Sequence, residues 1–271
     1  MNLGMIAPCL GQKGVERVAA LGLDFIEYDI NYEETPEHDH WQEFSAQAES
    51  LRGWTEAAGI GVGAVGRWGG NKVLADGSAN PAELEADTAL IRAAAAVGAP
   101  VYMTGCNYIE GLSLYRNYTA AIGYFERLLE LGRENGVKIA AYNCRWNNYL
   151  HSDPAWDVVL GHLPELGIKF DPSHSRYAQG EDYLAETKKW GSRFYHVHIK
   201  GSLLIDGERF DDPPAGLDQT DWGSFLACLY ASGYQGGLSI EPHSATWRGA
   251  LGDAGLRYTI DYIRKLLFPQ E

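Results

Sequence analysis

Three short motifs hold the residue types in this chain that are equipped for chemistry. Phe170-Asp171-Pro172-Ser173-His174, His196-Val197-His198-Ile199-Lys200 and Ser239-Ile240-Glu241-Pro242 each put a carboxylate or an imidazole where an apolar run ends. Proline has no N–H to give to a ladder, so Pro172 and Pro242 stop their strands with Asp171 and Glu241 at the carboxyl ends. Asp171, His198 and Glu241 are then donors at three successive strand ends, a set suited to Mn2+, Mg2+, Co2+ or Zn2+. Two carboxylates in one barrel mouth repel each other unless a cation or protons intervene, which favours the metal reading. Of His196 and His198, alternating along one strand, only one is expected to enter the interior.

The elements that must position these groups follow a repeated punctuation. A helix-like stretch ends in glycine and a short apolar run follows, at Gly22, Gly59, Gly98, Gly136, Gly167, Gly191 and Gly233. With an opening run at residues 2–7, this predicts strands over 2–7, 25–29, 62–65, 101–104, 137–142, 168–171, 194–200 and 238–241. Residues 81–97 and 118–134 show helical spacing of apolar side chains, and residues 41–57 are read as a further helix. Eight strands alternating with helices in 271 residues predict a (β/α)8 TIM barrel, one domain over residues 1–271. An open doubly wound sheet is the competing architecture, but no G-x-G-x-x-G follows the first strand. Residues 33–41, rich in acidic groups and histidine, are read as a solvated loop, with a lid over the barrel mouth as the sharper alternative.

Composition narrows the function classes. Asp and Glu number 36 against 22 Lys and Arg, a formal charge of −14, which argues against a nucleic-acid partner. Cys9, Cys106, Cys144 and Cys228 lie far apart without a CxxC pair, which fits a reducing cytoplasm. No run of 18 apolar residues suggests a membrane span. A soluble cytoplasmic protein without a membrane partner is the expectation, and a homo-oligomer is left open.

In a parallel barrel the site forms at the carboxyl ends of the strands. The polar residues there include Glu27 and Asp29, Arg67 and Trp68, Tyr142, Asn143 and Arg145, Asp171 and His174, His198 and Lys200, and Glu241 and His243.

The three motifs resemble the xylose isomerase-like sugar isomerase/epimerase barrels, and the resemblance extends to residues 206–222, of the form D-G…P-P…G…D-W. It implies a divalent metal held by Glu, Asp, His and Glu from strands five to eight. Asp171, His198 and Glu241 match that pattern. The strand-five position does not, since Tyr142 stands where the family places its first glutamate. In the family's epimerases two glutamates exchange protons on opposite faces of a metal-stabilised enediolate. With one missing, a two-base epimerase is less expected and β-elimination or one-base isomerisation of a keto-sugar remains feasible, so the expected activity is that of a divalent-metal-dependent isomerase/epimerase or lyase acting on a sugar, keto-sugar or polyol.

On this reading Glu241 or His174 moves the proton, and Tyr142 acts as an acid or hydrogen-bond donor. Lys200, Arg145 and His243 orient substrate oxygens, while Trp68 and Trp247 face the carbohydrate's C–H surface. The partner is a small carbohydrate. A non-catalytic sugar-binding or partner subunit with a degenerate metal site is the alternative, motivated by Tyr142.

Overall fold

The structure is a computed structural model that describes residues 1–32, 40–178 and 182–268. Its strands are β1 (Asn2–Ile6), β2 (Phe25–Asp29), β3 (Gly61–Arg67), β4 (Val101–Thr104), β5 (Lys138–Tyr142), β6 (Gly167–Phe170), β7 (Phe194–Ile199), β8 (Leu203–Ile205), β9 (Glu208–Asp211) and β10 (Gly237–Ile240). The helices are α1 (Gln12–Ala20), α2 (Trp41–Ala58), α3 (Pro81–Val97), α4 (Leu114–Asn135), α5 (Asp153–His162), α6 (Pro172–Tyr177), α7 (Tyr183–Trp190), α8 (Trp222–Ala231) and α9 (Gly249–Arg264). Eight parallel strands close in the order β1-β10-β7-β6-β5-β4-β3-β2, which is the expected (β/α)8 barrel.

Local chemistry sets the helix ends. Asn80 accepts from the Ala82 N–H at 3.1 Å to start α3, with Pro81 in the first turn, and Gly98 closes the helix in the left-handed conformation. Ser113 caps α4 through the Arg116 N–H at 3.3 Å. The outward sides of the strands, for example Val197 and Ile199 of β7 and Ile168 and Phe170 of β6, join one apolar core with the helices. The alternate residues therefore point into the barrel, and near its carboxyl end these are mostly polar.

Two elements depart from the simple repeat. The loop after β7 contains an antiparallel hairpin, β8–β9, turned at Asp206 (φ 53) and Gly207 (φ 81). The Asp-Gly pair after the apolar run Leu203–Ile205 is a two-residue turn signal. The short helix α6 follows β6 directly, begun by Pro172 and capped by Asp171 Oδ1, which accepts from the Ser173 N–H at 2.9 Å. Residues 33–39, which hold most of the acidic segment weighed as a loop or a lid, lie outside the described residues. No helix among the described residues is long and apolar enough to cross a membrane.

Candidate active site at the barrel mouth

Glu27 anchors one side of the mouth. It stands on β2, fully buried, and its two oxygens accept from His196 Nε2 at 2.7 Å and His198 Nε2 at 2.8 Å. Both imidazoles thus face inward, against the expectation that only one of them does. The reason is the strand repeat itself, since residues two apart share a face and Val197 between them points outward. Burial opposes ionisation of Glu27, but His198 and His196 outweigh it and hold the carboxyl well below its usual range. His198 Nδ1 lies 2.7 Å from Glu241 Oε2, so both of its ring nitrogens meet carboxylates. Burial works against the charged ring, yet Glu27 and Glu241 raise its pKa to about 9.

Asp171 faces this pair from β6. Its Oδ2 is buried without a hydrogen-bond partner and has Lys200 Nζ at 2.9 Å and His174 Nε2 at 3.5 Å as ionic neighbours. Lys200 continues to Glu241 Oε1 at 3.5 Å, so its ammonium bridges the two carboxylates. Despite burial, Lys200 and His198 hold the Glu241 carboxyl well below its usual range. Burial and the Lys200 charge push His174 down to about 3, leaving a neutral imidazole. One donor atom each from Asp171, His198 and Glu241 lies within 4.8 Å of the others. Asp29, at the end of β2, has a buried unpartnered oxygen, and burial together with Glu27 raises its carboxyl well above the usual range.

The strand-five position is built around an aromatic stack. Tyr142 is fully buried, its ring 5.3 Å from that of Trp68 and 5° from parallel, with its hydroxyl accepting from the Gly69 N–H at 3.4 Å. Burial first, and the nearby Cys144, raise this phenol well above its ordinary value, so it stays neutral. A Cβ on Gly105 would sit 2.5 Å from the Tyr142 ring, and one on Gly66 would overlap the Trp68 indole. Two glycines on adjoining strand ends thus make the space that the stack fills.

A cavity of about 850 Å3 opens over these groups, lined by Asp29, Trp68, Arg145, Lys169, His174, His198, Lys200, Glu241 and His243 among others. A second lobe of about 500 Å3 shares Asp29, Glu241 and His243 and reaches Trp247. The hairpin side of the mouth is fixed by Asp212, which accepts from Arg209 and Tyr177 and lies 2.8 Å from His243 Nδ1. Of the residues singled out in the sequence, Trp68, Arg145, His174, His198, Lys200, Glu241 and His243 line one cavity, while Asp171 is fully buried behind Lys200 and His174. Trp247 lines the second lobe and not the first, and Tyr142 stacks on Trp68 rather than lining the cavity wall. Arg67 sits away from the mouth, paired with Glu83 at 2.9 Å.

Glu27 and Asp29 were visible as polar strand-end residues, but nothing local ranked them with the candidate metal donors. Lys169 was missed, because a lysine inside a strand ordinarily reads as its solvent-facing alternate.

A family profile described as xylose isomerase-like TIM barrel matches residues 15–266. Among solved structures, a D-psicose 3-epimerase from Clostridium cellulolyticum H10 superposes with a TM-score of 0.77 at 15% identity, covering 98% of this chain and 99% of that one. A 3-keto-D-glucoside 4-epimerase from E. coli gives 0.75 at 14% identity, again with 98% and 99% covered. The 3-dehydroshikimate dehydratase of Pseudomonas putida is 28% identical over 150 residues, which are 54% of this chain and 22% of that protein. The likeness to the solved structures shows the shared fold, and the profile match over most of the barrel places this chain in the xylose isomerase-like TIM-barrel family.

Proposed function

We propose that this chain is a divalent-metal-dependent enzyme that removes a proton next to a carbonyl of a keto-sugar or polyol, with elimination or one-base isomerisation as its reaction. The observation that carries the reading is the Asp171–His198–Glu241 donor cluster, of which His198 and Glu241 line the large cavity and Asp171 lies buried behind Lys200 and His174.

The residues fit a divalent ion. Asp171 Oδ2 is a fully buried carboxylate oxygen whose close partner is the Lys200 ammonium at 2.9 Å, a cation that occupies the place a divalent ion would take, and His198 turns Nδ1 to Glu241 while Nε2 is held by Glu27. That carboxylate–imidazole pairing is how a metal-bound histidine is oriented. Asp171, His198 and Glu241 would be the ligands, and the ion would supply a Lewis acid that polarises the carbonyl beside the departing proton.

The chain's own groups divide the remaining work. Glu241 is the ionised carboxylate best placed to accept the proton. His174, neutral and facing the Lys200 ammonium at 3.3 Å, serves as a hydrogen-bonding group and a weak base only. Lys200, Arg145 and His243 orient oxygens around the cavity, and Trp68, part of the cavity wall, meets the substrate's C–H surface. Tyr142 acts through Trp68 by filling the strand-five corner, which leaves one carboxylate base in place of two.

The test is incubation with 3-keto-glycosides and free ketoses in deuterated water containing Mn2+. Deuterium incorporation or an elimination product, abolished by EDTA, is expected. Absence of both Mn2+ binding and exchange refutes the assignment.

A further inference from the structure

Lys169 is the least explained group in the molecule. It stands on β6 beside Tyr142 of β5 and His196 of β7, and it is 1% exposed. Its ammonium lies 5.7 Å from the centre of the Trp68 ring and lines the large cavity. Among the described residues it makes no hydrogen bond and no ion pair. A buried lysine in that condition costs free energy unless something in the cavity compensates it.

The nearby carboxylates make their close contacts elsewhere, although the Lys169 charge favours the ionised forms of Asp29, Asp171 and Glu241 from a longer range. Glu241 meets His198 and Lys200, Asp171 meets Lys200 and caps α6, and Glu27 serves two imidazoles. Asp29 is held toward its protonated form by burial and by Glu27. A divalent ion among Asp171, His198 and Glu241 would neutralise those groups further and leave the Lys169 charge facing substrate.

We propose that Lys169 anchors an anionic oxygen-acid group of the substrate, so that the cavity takes a polyhydroxy carboxylate rather than a neutral sugar. Lys169 lines the cavity, with the Trp68 ring centre 5.7 Å from its ammonium. A carboxylate entering there gains a charge-assisted hydrogen bond in a poorly hydrated site, where such bonds are strong. A neutral hydroxyl at the same place leaves the buried charge with only the longer-range attraction of Asp29, Asp171 and Glu241. This inference rests on the cavity being the substrate site, as proposed above, but not on the metal.

The experiment uses the full chain treated with EDTA and dialysed, titrated calorimetrically with sodium D-gluconate and sodium D-glucuronate, and with neutral D-glucitol and D-glucose. The acids are expected to bind at least tenfold more tightly than their neutral counterparts. Lys169→Met is expected to lose that margin while leaving binding of the neutral compounds unchanged. Its own Tm should equal or exceed that of the unsubstituted chain, because an unpaired buried ammonium gives way to an apolar group of similar length. Lys169→Gln gives a second test with a polar, uncharged side chain. Equal binding of acids and neutral compounds, or an acid preference that survives in Lys169→Met and Lys169→Gln, overturns the proposal. A fall of several degrees in the Tm of both variants assigns Lys169 a structural role and overturns it too. Mn2+ titration of the same samples reports separately on the metal site.

Discussion

Glu27→Gln is the perturbation that probes most of the site with the fewest atoms changed. The glutamate accepts from His196 Nε2 at 2.7 Å and His198 Nε2 at 2.8 Å, and each bond is charge-assisted. A glutamine has one carbonyl oxygen and an NH2 that must face the second imidazole, so one ring has to change tautomer or turn. If that ring is His198, Nε2 has to give up its proton and the ring keeps only the one on Nδ1, the nitrogen facing Glu241. Loss of a carboxylate that orients a ligating histidine typically costs 10- to 100-fold in metal affinity, about 1.4–2.8 kcal/mol. Weakening two hydrogen bonds to a buried charge costs stability as well, about 2–4 kcal/mol. Calorimetric titration of Mn2+ into EDTA-treated protein, paired with thermal melts, reads both numbers. An Mn2+ Kd within twofold of the unsubstituted chain would refute the claim that Glu27 positions His198.

Three further outcomes follow from other parts of the molecule. Gly105→Ala places a methyl group 2.5 Å from the Tyr142 ring, and overpacking of this kind costs about 1–3 kcal/mol, so a lowered Tm and a changed Trp68 fluorescence are expected. An unchanged Tm would show that the stack tolerates displacement. Glu83 is buried against Arg67 and Lys72 at 2.9 and 2.6 Å, and these cations overcome burial to lower its pKa. A depressed carboxyl contributes stability above its unfolded value of 4.5 and loses it as pH falls below that value, so the Tm gap between the unsubstituted chain and Glu83→Gln should narrow only below about pH 4.5. A gap independent of pH would contradict the ion-pair account. Asp212→Asn releases Arg209 and weakens the tie to His243, and hydrogen exchange in β8–β9 should rise while the barrel strands keep their protection.

Much of the fold was legible because the glycine after each helix and the apolar run after it are local signals. Predicted strands at 25–29 and 101–104 and the helix at 81–97 coincide with β2, β4 and α3. The hairpin β8–β9 was absorbed into a loop, although Asp206-Gly207 between Ile205 and Glu208 carried its turn. In the site, Asp171, His198 and Glu241 were readable because proline punctuation and strand alternation place them without long-range information. His196 was misplaced by a wrong reading of that same alternation. Lys169 and the Glu27 relay were not readable, because their meaning depends on which strand closes next to which. The Tyr142–Trp68 stack likewise exists only once Gly66 and Gly105 are adjacent in space.

The central claim is that three protein ligands hold a divalent ion beneath the cavity. An anomalous-difference map from crystals grown with Mn2+ tests it most directly. The account predicts one strong peak within coordination distance of Asp171 Oδ2, His198 Nδ1 and a Glu241 oxygen, with Glu27 still bonded to His198 Nε2. A map with no peak there, and Lys200 Nζ still bridging Asp171 and Glu241, would contradict it.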